Sequence, residues 1–62
     1  MEIIVKTSGS ARRKVAAAAE RFNGKIAFSK RGEVVVSVNE EDAIAFKRTL
    51  DGINEVVGYS DY

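Results

Sequence analysis

The second half of the chain carries the clearest pattern of apolar and polar positions. Residues 34–38 are four valines and one serine, a β-branched composition that is typical of a strand. Asn39 stands at the position of a helix N-cap, acidic residues fill the next turn, and Asn39 and Asp42 have the spacing of a capping box. Apolar residues then recur at helical spacing until Asp51-Gly52, where the glycine is typical of a helix end. We therefore predict a strand, a helix and a closing strand that begins at Val56.

The beginning of the chain predicts another strand and another helix. Residues 1–6 alternate between the two faces of a strand. The apolar side chains of residues 11–22 lie on one stripe of a helix, and Ser8 or Ser10 is suited to cap it. Asn23-Gly24 is suited to end this helix, because these residues accept the backbone conformations that follow a last helical turn.

A hairpin connects the two halves. Residues 25–29 predict its first strand, in which strict alternation places Ile26 and Phe28 on one face and Ala27 on the other. Residues 30–32 predict a short turn whose glycine can take a left-handed backbone conformation.

The order of elements is β-α-β-β-α-β, so we predict an α+β fold of the ferredoxin-like type. Right-handed crossovers place both helices on one face of a four-stranded antiparallel sheet, with strand order 4-1-3-2. No linker or change of composition divides residues 1–62, so we predict a single domain. A three-stranded α+β domain with a frayed C-terminus is the alternative, but it leaves Val56 and Val57 unpaired. The predicted core consists of Ile3, Val5, Val15, Ala18, Phe22, Ile26, Phe28, Val34, Val36, Val38, Phe46 and Leu50.

The second face of such a sheet carries no helix. Alternation assigns Ile4, Ala27 and Val35 to it as a small apolar band. This band is either an ordinary half-solvated sheet surface or a docking surface for a partner. Lys25 and Lys30 discourage pairing along the edge of strand 2, which favours association through the face. The polar residues predicted around the band are Glu2, Lys6, Lys25, Ser29, Glu33 and Ser37.

Composition removes several classes of function. The 62 residues include no cysteine and no histidine, which excludes thiolate metal sites, Cys–His pairs and a Ser–His–Asp triad, so we expect no enzyme activity, cofactor or metal. The net charge is +1, so no overall field attracts nucleic acid or an anionic membrane. We also see no signal peptide, which predicts a cytoplasmic protein, or an extracellular one if the chain is an excised propeptide.

Two further patterns have ordinary structural explanations. The acidic run 40–42 is best explained by the helix dipole, since consecutive residues point in different directions. The polar turn 7–10 before a helix lacks the glycine spacing of a phosphate-binding loop.

Nucleic-acid binding remains an alternative because ferredoxin-like sheets can stack bases on aromatic side chains. Here Phe22 and Phe28 are predicted on the core side.

Both ends of the chain resemble the subtilisin propeptide and peptidase-inhibitor I9 family. The similar stretches are Glu2-Ile3-Ile4-Val5-Lys6, Val36-Ser37-Val38-Asn39-Glu40-Glu41 and Leu50-Asp51-Gly52-Ile53-Asn54-Glu55-Val56. The resemblance implies a ferredoxin-like inhibitor or folding chaperone of a subtilisin-type serine protease. Its open face would dock on the protease, and the segment after strand 4 would lie in the active-site cleft. The implied partner-binding residues are Ile4, Ala27, Val35, Tyr59, Ser60, Asp61 and Tyr62.

The sequence thus leads to a non-enzymatic protein-binding domain. The most specific form of this hypothesis names a subtilisin-type protease as the partner. A generic interaction module, including one that binds a second copy of itself, is the first alternative. A nucleic-acid-binding domain is the second.

Overall fold

A computed structural model describes residues 1–9 and 11–62. The described residues form four strands, two α-helices and one turn of 3-10 helix, and they confirm the ferredoxin-like βαββαβ plan. The elements are β1 (Glu2–Thr7), α1 (Arg12–Glu20), β2 (Lys25–Lys30), β3 (Glu33–Ser37), the 3-10 turn (Glu40–Asp42), α2 (Ala43–Asp51) and β4 (Val56–Asp61).

The four strands form one antiparallel sheet in the order β2-β3-β1-β4. This is the predicted order read from the opposite edge. β1 and β3 are the central strands, and Ile4 lies directly opposite Val35 in their ladder. The first and last strands of the chain are also neighbours, because β1 pairs with β4 at one edge of the sheet.

Both helices pack on one face of the sheet and close a single apolar core. Phe46 of α2 is completely buried and meets Phe22 edge to face, with ring centroids 6.3 Å apart. Edge-to-face geometry places the positive edge of one ring against the negative face of the other, which stabilises the pair beyond simple burial. Most of the predicted core is confirmed by the buried cluster, which consists of Ile3, Val5, Val15, Ala18, Ala19, Val34, Val36, Val38, Ala43, Phe46 and Leu50.

Phe28 is a correction to the predicted core, since it is 55% exposed and lies on the open face, which is the face of the sheet opposite the helices. Ile26 pairs with Val36, but the next register pair joins Phe28 to Val35, so β2 contains one extra residue. This β-bulge at Ala27 breaks the two-residue alternation that the prediction assumed. It moves Phe28 to the open face and Ser29, which was predicted there, to the helix-covered face opposite Val34.

The end of β4 corrects a second expectation. The resemblance placed residues 59–62 in a tail beyond the last strand, whereas β4 extends through Asp61. The backbone N–H of Tyr62 also donates a hydrogen bond to the carbonyl of Glu2 at 2.9 Å. These residues pair with β1 because an antiparallel ladder satisfies their backbone groups.

The helix starts also differ from the prediction. In the described part of the chain the Asn39 side chain makes no capping hydrogen bond, and its carbonyl instead accepts the N–H of Asp42 in the 3-10 turn. The capping box is therefore wrong, and α2 begins at Ala43. Ala11 precedes α1 without a capping side-chain bond, so Ser8 does not cap it. Ser10 lies outside the described residues.

Candidate functional site

The candidate site is the face of the sheet opposite the helices, called the open face below. Residues that pair directly across strands share a face, so the ladder pairs arrange the side chains of this face in three rows. The apolar row contains Phe28, Val35, Ile4 and Ser60 from edge to edge. The mixed row contains Lys25, Ser37, Glu2 and Tyr62. The charged row contains Lys30, Glu33, Lys6 and Gly58.

The apolar row is the centre of the open face. Val35 is only 7% exposed, and Ile4 beside it is half-buried, so these two side chains shield each other. The bulge brings Ala27 and Phe28 together opposite Val35, which extends the apolar surface to the edge of the sheet. An exposed aromatic side chain beside aliphatic ones is a composition enriched in the cores of protein interfaces.

Tyr62 closes the apolar surface on the opposite side. Its side chain is 81% exposed, and its backbone is held by Glu2 at the end of the β1–β4 ladder. Tyr62, Phe28 and Val35 line a shallow depression of about 370 Å³. The remaining lining residues are Glu2, Ile4, Ala27 and Glu33.

The charged row gives the open face both signs of charge. Lys6 and Glu33 are direct partners across the two central strands. Glu33 also lies 3.6 Å from the Nζ of Lys30, at the end of the hairpin. The face is therefore a patch of apolar side chains bordered by alternating basic and acidic groups.

The structure divides the seven predicted site residues between the two faces. The open face holds Ile4, Ala27, Val35, Ser60 and Tyr62. Tyr59 and Asp61 lie on the helix-covered face, because they pair with Val5 and Ile3 of the core. The Tyr59 hydroxyl donates to Asp51 at 2.9 Å, and Asp61 accepts a hydrogen bond from the Lys47 ammonium at 2.7 Å. These two hydrogen bonds join β4 to α2.

Phe28 is the site residue that sequence reasoning missed. Its signal was the unbroken apolar run Ile26-Ala27-Phe28 between Lys25 and Ser29. Such a run is inconsistent with simple alternation in an edge strand, and a bulge resolves it by giving Ala27 and Phe28 the same side.

A second concavity of about 350 Å³ lies between α1 and the connection from α2 to β4. There the Lys14 ammonium donates a hydrogen bond to Oε2 of Glu55 at 2.6 Å, which holds the pKa of Glu55 below its ordinary value. Oε1 of the same carboxylate is buried and makes no hydrogen bond to any described residue. The contact joins α1 to the start of β4, and we assign it a structural role.

The described residues hold neither a metal-binding cluster nor a membrane-spanning helix. Across ranges 1–9 and 11–62, no group of three or more acidic side chains is placed to hold a metal ion. Within the same ranges, neither helix has the length and apolar character needed to cross a membrane.

The open face is thus the feature with the clearest capacity for recognition. Comparisons of the chain with protein-family models, with curated proteins and with solved structures found no match.

Proposed function

We propose that this chain is a non-enzymatic protein-binding domain and that the open face is its binding surface. The observation that carries the proposal is the position of Phe28. With Phe28 on the core side, the face would present only three small or medium apolar residues. With Phe28 exposed beside Val35 and Ile4, it presents a continuous apolar row that ends in an aromatic side chain.

The charge pattern supports a protein partner over a nucleic acid. Two glutamates, Glu2 and Glu33, lie among the three lysines of the open face, so its basic residues form no uninterrupted track for a phosphate backbone. The two central strands contribute aliphatic Ile4 and Val35, which offer no flat surface for a base to stack on. A protein surface, by contrast, complements apolar residues and both signs of charge at once.

Nucleic-acid binding is the second candidate, and one observation favours it. Phe28 and Tyr62 are both exposed on the open face, near its two edges. Strands in a sheet are about 4.8 Å apart, so the backbones that carry these two residues are about 14 Å apart across the sheet. This separation allows two bases to stack on separate rings but leaves no aromatic residue between them.

A subtilisin-type serine protease is the first partner to test, because of the resemblance to the I9 family. Ile4, Ala27 and Val35 occupy the face through which that family docks. Since β4 continues through Asp61, Tyr62 is the residue of the predicted tail that remains available for the active-site cleft.

The experiment compares Phe28→Gln with Ile44→Gln as a matched control. Ile44 is a similarly exposed apolar residue, 68% exposed on α2 and away from the open face. Inhibition of subtilisin and binding of a fluorescent single-stranded oligonucleotide are measured for the unmodified chain and for both variants. Inhibition that Phe28→Gln weakens and Ile44→Gln preserves supports the protease version.

The other outcomes decide between the remaining versions. Oligonucleotide binding lost only in Phe28→Gln, with no binding of protease or of a second copy, overturns the proposal in favour of nucleic acid. Protease inhibition equally strong in both variants overturns the open face as the binding surface.

A further inference from the structure

The open face is complementary to itself, which identifies a partner for it. The two central strands carry opposite charges in the charged row, Lys6 on β1 and Glu33 on β3. They carry apolar residues in the middle row, Ile4 on β1 and Val35 on β3. A twofold axis that runs parallel to these strands and midway between them exchanges β1 of one copy with β3 of the other.

We propose that the open face binds a second copy of this chain, face to face, about that axis. The inference rests on the proposed function and names the partner of the same surface. Ile4 of each copy lies over Val35 of the other, and Phe28 lies over Ser60, so the exposed parts of both apolar rows are covered. Lys6 of each copy lies over Glu33 of the other, so two charge pairs form for each dimer. In an isologous interface every favourable contact occurs twice in this way.

The charges select this axis over the perpendicular one. A twofold axis perpendicular to the strands places the mixed row over the charged row. Glu2 then lies over Lys6 of the second copy, but Lys25 lies over Lys30, so the two repulsive contacts offset the two attractive ones. The parallel axis instead sets Lys25 over Tyr62 of the second copy, which is a favourable arrangement for an ammonium and an aromatic ring.

The edges of the sheet are less suited to self-association. β2 has a bulge at Ala27 and lysines at both of its ends. β4 has a register shift at Val57, since Thr7 pairs with Val56 and Lys6 with Gly58. Bulges and lysines are the devices that protect sheet edges from pairing with other chains.

The size of the face limits the strength of the dimer. Four strands about 4.8 Å apart, each five or six residues long at about 3.3 Å per residue, cover on the order of 400 Å². Two copies therefore bury on the order of 800 Å² in total, which is below the range of stable complexes and within that of transient ones. We expect a dimer that forms at high micromolar concentrations and dissociates on dilution.

The test uses charge reversal and mixing, with sedimentation equilibrium as the measurement. Lys6→Glu gives each copy two acidic residues near the axis, and Glu33→Lys gives each copy two basic ones. Each variant alone should dimerise at least about tenfold more weakly, because two attractive pairs become repulsive. An equimolar mixture should recover a heterodimer, since the acidic face of one variant meets the basic face of the other.

Two controls separate dimerisation from folding. Glu20→Lys reverses an exposed charge on α1, away from the open face, and should leave the dimer unchanged. The double variant Lys6→Glu with Glu33→Lys restores opposite charges both within the sheet and across the axis. It should therefore dimerise as the unmodified chain does, even if repulsion within the sheet destabilises either single variant.

The results that would overturn the dimer are distinct from those that would overturn the proposed function. A chain that stays monomeric up to millimolar concentration eliminates the second copy, whereas the protease assay still tests the open face. A dimer that both single variants preserve, or a mixture without a heterodimer, shows that this axis is wrong.

Discussion

The hydroxyl of Tyr59 donates a hydrogen bond to Oδ1 of Asp51 at 2.9 Å, and this contact joins β4 to the last residue of α2. The hydrogen bond to Asp51 raises the pKa of Tyr59 above its ordinary value, and desolvation and the negative charge of Asp51 act in the same direction. All three effects favour the protonated phenol, which is the form that can donate.

The raised pKa of Tyr59 predicts a loss of stability in alkaline solution. Folding favours the protonated phenol, so its contribution is complete below the unfolded pKa of about 10 and disappears as the pH rises through the folded pKa. Urea unfolding between pH 8.5 and pH 11 should show a decline in the free energy of unfolding. The decline should be shallower in Tyr59→Phe, which keeps the ring and removes the titrating group. Identical pH dependence in the two proteins would show that the hydrogen bond does not form in solution.

The fold was predictable because its signals are local and repeated. The valine-rich residues 34–38, the spacing of Phe46 and Leu50 and the glycines at helix ends each indicate one element, and the order of elements leaves few topologies. The buried residues followed from the same periodicities.

The features that could not be predicted depend on how one element pairs with another in the folded chain, which a local sequence pattern does not show. A bulge such as that at Ala27 changes the face of every later residue in its strand, and pairing with β3 determines where it occurs. The length of β4 depends on the partner strand β1 at the other end of the chain. Asn39 has the side chain of a good N-cap, but a 3-10 turn follows it, and the hydrogen bond is made by its backbone.

Phe46→Ala should remove most of the stability of the domain. Phe46 is fully buried and contacts Phe22, so the substitution leaves a cavity and costs about 3–5 kcal/mol. Domains typically have about 0.05–0.15 kcal/mol of stability per residue, so the whole chain is expected to have about 3–9 kcal/mol. Circular dichroism in a denaturant titration measures the change. A loss of only a few tenths of a kcal/mol would contradict the position of Phe46 in the core.

Gly24→Ala should destabilise the fold through a steric conflict. A Cβ at Gly24 would lie 2.6 Å from Cγ1 of Val38 and 3.0 Å from the carbonyl oxygen of Ser37. Overpacking of this kind typically costs about 1–3 kcal/mol. Gly58→Ala is the matched control, since no atom lies within 4 Å of a Cβ there, and it should be neutral or slightly stabilising. Equal midpoints of thermal unfolding for the two variants would rule out the close approach.

Deletion of Ala27 tests the bulge that places Phe28 on the open face. In the bulged strand the deletion removes the extra residue and keeps Ile26 opposite Val36 and Phe28 opposite Val35. The variant should therefore fold, with a loss of stability well below the ~3–5 kcal/mol that removal of a core phenylalanine costs. In a strand without a bulge, the same deletion would move Phe28 out of the core and would cost that full amount.

Deletion of Ser29 is the control, because Ser29 is paired with Val34 and its loss draws Lys30 towards the helix-covered face. It should destabilise the domain more than deletion of Ala27 does. Denaturant titration ranks the two deletions, and a nuclear Overhauser effect between the Phe28 ring and the Val35 methyl groups reports the face directly. The reverse ranking, together with no such effect, would return Phe28 to the core and remove the observation on which the open face is proposed as a binding surface.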